Sequence, residues 1–406
     1  MMVQLRRWMV LLLSAVLLGS MCSCSSGKAE EDSKEAVPDL RTEMREDMTT
    51  SEIVADMGIG INLGNTLEAC GDWINGDTVN DYETAWGSPT VTEEMIAGYA
   101  AAGFRSVRIP VAWSNLMDED YTIAPELLDR VETVVQYVLD HDMYAIVNLH
   151  WDNGWIAGFS TDFDSCMEKY TRIWEQVSEQ LADYGDHLIL ESMNEEGCFD
   201  DLWNRYSGSD DGKAEAYGIV NQINQKFVDL MRSAKGNNPK RHLLIAGYAT
   251  DVDMTCDAAF QMPEDSASRC AVSVHYYTPP TFCILEEDAD WGKAKTTWGS
   301  PRDYRILEKD MDKLQTRFLD NDIPVIIGEY GCSTKNKTAE TIRTFLTAVA
   351  QEAYSRGMCP MLWDVTGVFY DRSQCRLKDS QLEQAFREIA AAPRTGHSEN
   401  VQENSK

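Results

Sequence analysis

Eight short apolar runs rich in β-branched residues alternate with longer amphipathic stretches between residues 49 and 390, and this alternation constrains the fold more than any other feature. The runs are Gly58–Leu63, Ser106–Pro110, Ala145–Leu149, Leu188–Ser192, Leu243–Ala246, Ala271–His275, Val325–Gly328 and Met361–Trp363. Most are continuously apolar, as in Val325-Ile326-Ile327, which suits strands covered on both faces of a parallel sheet. Helical patterns occupy Glu93–Ala102, Pro125–Asp140, Cys166–Asp183, Ala214–Ala234, Tyr304–Leu319 and Thr338–Arg356. Pro125 suits a first helical turn, and Gly357 stands where the last helix should stop. Eight strand–helix units without a linker-like break predict a single closed (β/α)8 barrel, a TIM barrel with extended loops at its C-terminal face. An open doubly wound sheet is the alternative, and it needs a glycine-rich phosphate turn after the first strand. In Gly58-Ile59-Gly60-Ile61-Asn62-Leu63-Gly64 the third glycine comes one position early for G-x-G-x-x-G, and no helix pattern begins there.

The flanks carry different signals. Arg6 and Arg7 precede an apolar run from Trp8 to about Leu18, too short to span a bilayer, so residues 1–24 are expected as an export signal. Cys22 and Cys24 follow among small residues, which resembles a bacterial lipoprotein signal whose lipidated cysteine begins the mature chain. Met21 departs from the ideal residue before Cys22, and an ordinary secretory signal remains the alternative. The expected location is the bacterial cell envelope, with membrane attachment through an N-terminal lipid only. Residues 25–48 are charged and aperiodic, the pattern of a flexible tether, and 391–406 read as a disordered tail. The net charge of −31 repels phosphate backbones, so no nucleic-acid partner is expected. The nine cysteines beyond the leader are scattered without a C-x-x-C pair, and the six histidines are equally dispersed. No metal or cofactor is expected, and the catalytic domain at 49–390 is expected to act as a monomer.

A barrel of this kind gathers its chemistry at the C-terminal ends of its strands. Arg108 lies in the second run, and Asn148-Leu149-His150 ends the third. Asn194-Glu195 follows the fourth, His275-Tyr276-Tyr277 ends the sixth, Gly328-Glu329-Tyr330 the seventh, and Trp363-Asp364 the eighth. Glu195 and Glu329 belong to strands nearly opposite each other, so their carboxyl groups can meet over the barrel centre. A carboxylate pair is the minimal apparatus for glycosidic hydrolysis: one protonates the leaving oxygen while the other attacks or activates water. Arg108 and a tyrosine hydroxyl beside Glu329 suit an ionised partner, whereas a more apolar setting suits a protonated Glu195. Eight of the 11 tryptophans (Trp73, Trp86, Trp113, Trp151, Trp155, Trp291, Trp298 and Trp363) fall after strands on the same expected face. Aromatic rings there suit pyranoses, whose C–H faces are apolar.

These motifs resemble glycoside hydrolase family 5, the cellulase family, over about residues 49–390. Gly60-Ile61-Asn62-Leu63-Gly64-Asn65-Thr66-Leu67-Glu68 and Glu83-Thr84-Ala85-Trp86-Gly87-Ser88-Pro89 are similar to the subgroup of endo-β-1,4-glucanases and xyloglucanases. Gly103–Pro110, Asn148–Asp152, Glu191–Glu195, His275–Tyr277 and Ile327–Gly331 match the family's motifs for strands two, three, four, six and seven. The resemblance implies a retaining endo-acting hydrolase of β-1,4-glucans, with Glu195 as acid/base and Glu329 as nucleophile. It further implies that Asn194 holds the 2-hydroxyl, Arg108 and Tyr277 steady the nucleophile, His150 and His275 line the same subsite, and Trp363 forms its floor. Asn65 and Trp151 join the implied substrate contacts. Glu196 departs from the proline that often follows the acid/base, and Val365 from a common asparagine, which puts substrate preference in question. An endo-xylanase or endo-mannanase of the family, a non-catalytic glycan-binding barrel and a metal-dependent barrel hydrolase are the competing readings.

Overall fold

The computed structural model describes residues 41–394; the signal segment with Cys22 and Cys24, residues 25–40 and residues 395–406 lie outside the described residues. Eight parallel strands close a barrel: β1 (Gly60–Asn62), β2 (Ser106–Ile109), β3 (Tyr144–Asn148), β4 (Leu188–Glu191), β5 (Leu243–Ala246), β6 (Cys270–Tyr276), β7 (Val325–Tyr330) and β8 (Cys359–Leu362). Closure is made where Gly60 and Ile61 of β1 pair with Met361 and Leu362 of β8. Helices α1 (Thr50–Asp56), α2 (Glu93–Ala102), α3 (Pro125–Leu139), α4 (Phe163–Gln180), α5 (Lys213–Ser233), α6 (Pro301–Arg317), α7 (Ala339–Ser355) and α8 (Ser380–Ala391) accompany it. The strands and α2 to α7 fall within a few residues of their sequence positions. The helix α1, the helix α8 and a hairpin at Tyr370–Asp371 and Arg376–Leu377 were not marked by hydrophobic periodicity. A local signal did exist for α1, whose Thr49 and Glu52 form a reciprocal capping box.

Alternation along each strand sorts the barrel into layers. Outward residues such as Val107, Val147 and Leu190 join the large core under the helices. Inward residues near the base are apolar: Tyr144, Ile146, Ile189, Leu244, Ile326 and Met361 form a separate cluster that is plugged by Ile53 and Val54 of α1 and by Met57 just after it. Towards the C-terminal mouth the same inward positions turn polar, with Asn62, Arg108, Asn148, Glu191 and Ser273 all fully buried. The barrel therefore holds a dry foot and a charged upper layer.

The base is fastened by an unusual cation. Arg241, just before β5, is fully buried and donates to the carbonyls of Leu181, Tyr184, Gly185 and Leu188, which shape the approach to β4. Burial lowers its pKa to about 10. Residues at the expected tether's C-terminal end run along the same region, where Gly185 and Asp186 donate their N–H groups to the carbonyls of Arg41 and Glu43. His187 stacks on Tyr144 and His242 bonds Thr50, and burial lowers their pKa values to about 4 and about 3, so both serve structure. Arg241→Met should orphan several carbonyls at about 1–3 kcal/mol each. The expected loss in urea unfolding is therefore at least about 3 kcal/mol; a loss below about 1 kcal/mol would show that water replaces the guanidinium.

Candidate active site

The charged upper layer is organised around Arg108. Its Nε donates to Glu191 Oε2 at 2.6 Å and its Nη1 to Glu329 Oε1 at 2.7 Å, while Nη2 reaches Asn194 Oδ1 at 3.0 Å. Nη1 also meets Asn62 Oδ1 at 3.1 Å, and Ser273 Oγ donates to the second oxygen of Glu191 at 2.8 Å. One fully buried guanidinium thus ties β1, β2, β4 and β7 together. Its planar fork fixes both charge and direction. Two acids flanking it offset its burial and raise its pKa.

A break in strand register aims Glu329. Val274 of β6 pairs with Ile327 of β7, but the next residue, His275, pairs with Glu329, so Gly328 is bulged out of the ladder. Ile327 and Tyr330 both face the outer core. Without the extra residue, Glu329 would share their outward side; the bulge turns it into the barrel mouth. A side chain at position 328 has no room, since a Cβ there would lie 2.8 Å from Ser273 Oγ. Glu329 is 5% exposed, and Tyr277 donates to its Oε2 at 2.9 Å. Burial first, then the adjacent Glu329 charge, raises the Tyr277 pKa well above the usual range, so the phenol remains a donor.

Glu195 stands across the mouth. His275 Nδ1 lies 2.7 Å from Glu195 Oε1 and 3.6 Å from Glu329 Oε2. The three groups approach within 4.8 Å of one another. Retaining glycosidases hold their carboxyl groups about 5–5.5 Å apart, against about 6.5–9.5 Å for inverting ones. The Glu195 side chain is 48% exposed at the groove, yet the surrounding walls remove enough water to raise its pKa, with Arg108 opposing. Burial lowers His275 to about 4, so it is neutral near pH 7 and shares one proton with Glu195.

The floor is built from β1, β3 and β8. His150 and Trp363 are stacked, with ring centroids 5.8 Å apart and planes 2° from parallel. Asn148 Oδ1 accepts from Val111 N, so its amide nitrogen faces His150 Nδ1 at 3.2 Å. That assignment puts the His150 proton on Nε2. Gly64 lets the chain pass close by, as a Cβ there would meet the Trp363 ring at 3.1 Å. Asn65, at φ 57°, has its main chain fixed by the Glu68 carboxylate and the Ser88 hydroxyl. Trp151 is 52% exposed and makes no contact with the carboxylate network among the described bonds.

Several expectations need correction. Trp113 is fully buried, with its Nε1 bonded to the Asn148 carbonyl, and Trp298 is packed on Phe345, so both are core rather than groove. Trp155 is tied to Asp152 and covered by Lys169. Trp73 and Trp291 remain 60% exposed. Glu191, Asn62 and Ser273 complete the site although the sequence reading gave them no role. An ionisable residue ending the apolar run Leu188-Ile189-Leu190 was the available signal. At Glu196 burial comes first and the charges of Glu195 and Asp152 second, pushing its carboxyl up to about 8, so it adds no charge beside Glu195 at neutral pH.

Comparison with known proteins places this site in a family. The family model described as Cellulase (glycosyl hydrolase family 5) matches residues 67–367. Endoglucanase B of Clostridium cellulovorans is 34% identical over 323 residues, covering 78% of this chain and 68% of that protein. A xyloglucan-specific endo-beta-1,4-glucanase of Bacteroides ovatus is 33% identical, covering 80% of this chain and 67% of the relative. The structure of a broad specificity endoglucanase from an uncultured bovine rumen ciliate superposes with a TM-score of 0.77 at 34% identity, covering 85% and 98% of the two chains. With the barrel, the paired carboxylates and these matches in agreement, the chain belongs to the cellulases of glycoside hydrolase family 5.

Proposed function

We propose that Glu329 is the nucleophile and Glu195 the acid/base of this endo-acting β-glucan hydrolase. The observation that carries the assignment is the asymmetry of their surroundings. Glu329 accepts from a permanent cation and a phenol, whereas Glu195, at the groove edge with its pKa raised by the surrounding walls, bonds a neutral imidazole and no cation among the described residues. In the first step Glu329 attacks the anomeric carbon while Glu195 gives its proton to the departing oxygen, leaving a glycosyl ester on Glu329. In the second, Glu195 takes a proton from water, which attacks the same carbon and releases a sugar of retained configuration. Asn194 Oδ1 accepts from Arg108, so its amide nitrogen is left for the 2-hydroxyl. His150 Nε2–H and the Trp363 face hold the sugar ring at the cleavage point, and Asn65 and Trp151 extend the groove. Export to the cell envelope, with Cys22 or Cys24 as lipid acceptor, fits the leader sequence.

Glu195, His275 and Glu329 also form a possible donor set for a cation. Arg108 already occupies one oxygen of Glu329 and would repel a second positive charge, which favours metal-free chemistry. Among the described residues no helix is long and apolar enough to cross a membrane. The test is sugar release from mixed-linkage glucan, carboxymethyl cellulose and xyloglucan, with xylan and mannan as controls. Activity on the glucans that survives a chelator, with the β-anomer appearing first by NMR, is expected. Chelator-sensitive activity, initial release of the α-anomer, or turnover confined to xylan or mannan would overturn the assignment.

A further inference from the structure

The hairpin between β8 and α8, at Tyr370–Asp371 and Arg376–Leu377, touches neither carboxylate, yet its turn carries a buried cation. The Arg372 side chain is 1% exposed, so no sugar can reach it. Its fork finds four acceptors. Nη2 donates to the Gly64 carbonyl at 2.7 Å and the Asp364 carbonyl at 3.3 Å, and Nη1 to Thr66 Oγ1 at 2.8 Å and Ser88 Oγ at 2.9 Å. Both hydroxyls pass the contact on, Thr66 to the Gly64 carbonyl at 3.1 Å and Ser88 to the Asn65 carbonyl. Gly64 N closes the ring by donating to the Asp364 carbonyl at 3.0 Å. One side chain from a third segment thus ties the stretch after β1, which carries Asn65, to the stretch after β8, which carries Trp363. We propose that Arg372 is a positioning residue for the hydrolysis: by clamping Gly64 to Asp364 it fixes the Trp363 face and Asn65 against the sugar at the cleavage point.

The floor needs such a clamp because strand pairing stops short of it. The β1–β8 ladder ends at Ile61 and Leu362, and beyond that point the guanidinium does what a ladder would do. Four acceptors spread over separate segments suit a planar fork; an ammonium would offer a point charge instead. The contact with the ring is close, since a Cβ at Gly64 would stand 3.1 Å from Trp363, so a shift of Gly64 is felt by the floor directly. The hairpin that delivers Arg372 is itself held. Asp364 Oδ1 accepts from Phe369 N at 2.8 Å and Tyr370 N at 3.0 Å, and the Tyr370 ring lies 4.5 Å from that of Tyr99. On the opposite side the Glu68 carboxylate accepts from Thr66 N at 2.8 Å. Arg372 makes no bond to Glu195, Glu329 or Arg108 among the described residues, so its influence on the chemistry runs through the floor.

The proposal rests on Trp363 and Asn65 forming the sugar floor, and the test separates the two. A 2,4-dinitrophenyl β-cellobioside lays its sugar over Trp363 and has a leaving group that departs without a proton from Glu195, so kcat/KM on it reads how that sugar is placed. Arg372→Met should lower this value about tenfold, measured well below the melting midpoint of the variant, since a misplacement of about 1 Å suffices for such a loss. The alkaline limb of kcat/KM on glucan should stay at its wild-type pH. In a Trp363→Ala background the same substitution should cost no more than about threefold, because most of what it positions is gone. Ser88→Ala removes one acceptor and keeps the guanidinium; a loss of about threefold is expected, and this variant decides where Arg372→Met does not fold. An unchanged value in the deciding variant, a loss that multiplies in full with that of Trp363→Ala, or a limb that moves would overturn the clamp. Wild-type kcat/KM in Trp363→Ala would instead overturn the floor.

Discussion

Glu329→Gln is expected to lower kcat on β-glucan by a factor on the order of 10⁴ or more, because it removes the atom that forms the covalent intermediate. The amide has nearly the same shape, can still accept from Arg108, and leaves Tyr277 within reach of a polar neighbour. Fold and substrate binding should therefore survive, with circular dichroism and oligosaccharide affinity close to wild type. A shorter variant sharpens the test. Glu329→Ala opens a space below the anomeric carbon that azide can enter, and attack from there gives a glycosyl azide of inverted configuration. Recovery of that α-anomer identifies the face from which Glu329 acts. Near wild-type turnover in Glu329→Gln, or an azide product of retained configuration, would assign the nucleophile elsewhere.

Much of this site could be read from the sequence because barrel topology converts strand ends into neighbours. Asn148 and His150 at the end of β3, Glu195 after β4, His275 in β6, Glu329 in β7 and Trp363 after β8 are far apart in the chain, yet they meet at one mouth once the strands close. The direction of Glu329 was not legible in that way. Alternation along Val325-Ile326-Ile327-Gly328-Glu329 points it with Ile327, towards the helices, and only the bulge at Gly328 reverses this. The family motif puts Glu329 at the barrel mouth, where period-two reasoning would turn it away. Glu191 escaped notice for a related reason: a charge at the end of an apolar strand looks like a solvated terminus until the inward layer is seen to hold Arg108. Trp113 and Trp298 show the converse error. Their positions after strands suggested a groove, but the segments that carry them fold back and spend those rings on packing. The helix α8 and the hairpin before it were hidden because their apolar contacts, Tyr370 against Tyr99 and Phe386 against Phe104, are made with the far N-terminal half of the barrel.

Glu195→Ala gives the second large effect, and its signature differs from that of Glu329. Loss of the proton donor should reduce kcat/KM on β-glucan by about 10²–10⁴. A 2,4-dinitrophenyl β-cellobioside needs no such help, since its phenolate leaves unaided, so formation of its glycosyl–enzyme should be nearly unchanged. Hydrolysis of that intermediate then lacks its base and becomes limiting, and azide, which needs none, should accelerate turnover and yield the retained β-glycosyl azide. The pH profile supplies an independent check. Desolvation raises the Glu195 pKa against the pull of Arg108, and the protonated form is the donor. Wild-type kcat/KM on glucan should therefore be full below that raised pKa and fall as pH rises through it. His275, lowered to about 4 by burial, charges only on the acid side and leaves this alkaline limb to Glu195. In Glu195→Ala the limb should vanish on the activated substrate. If it persists there, or if natural and activated substrates lose the same factor, the proton that reaches the leaving oxygen comes from another group.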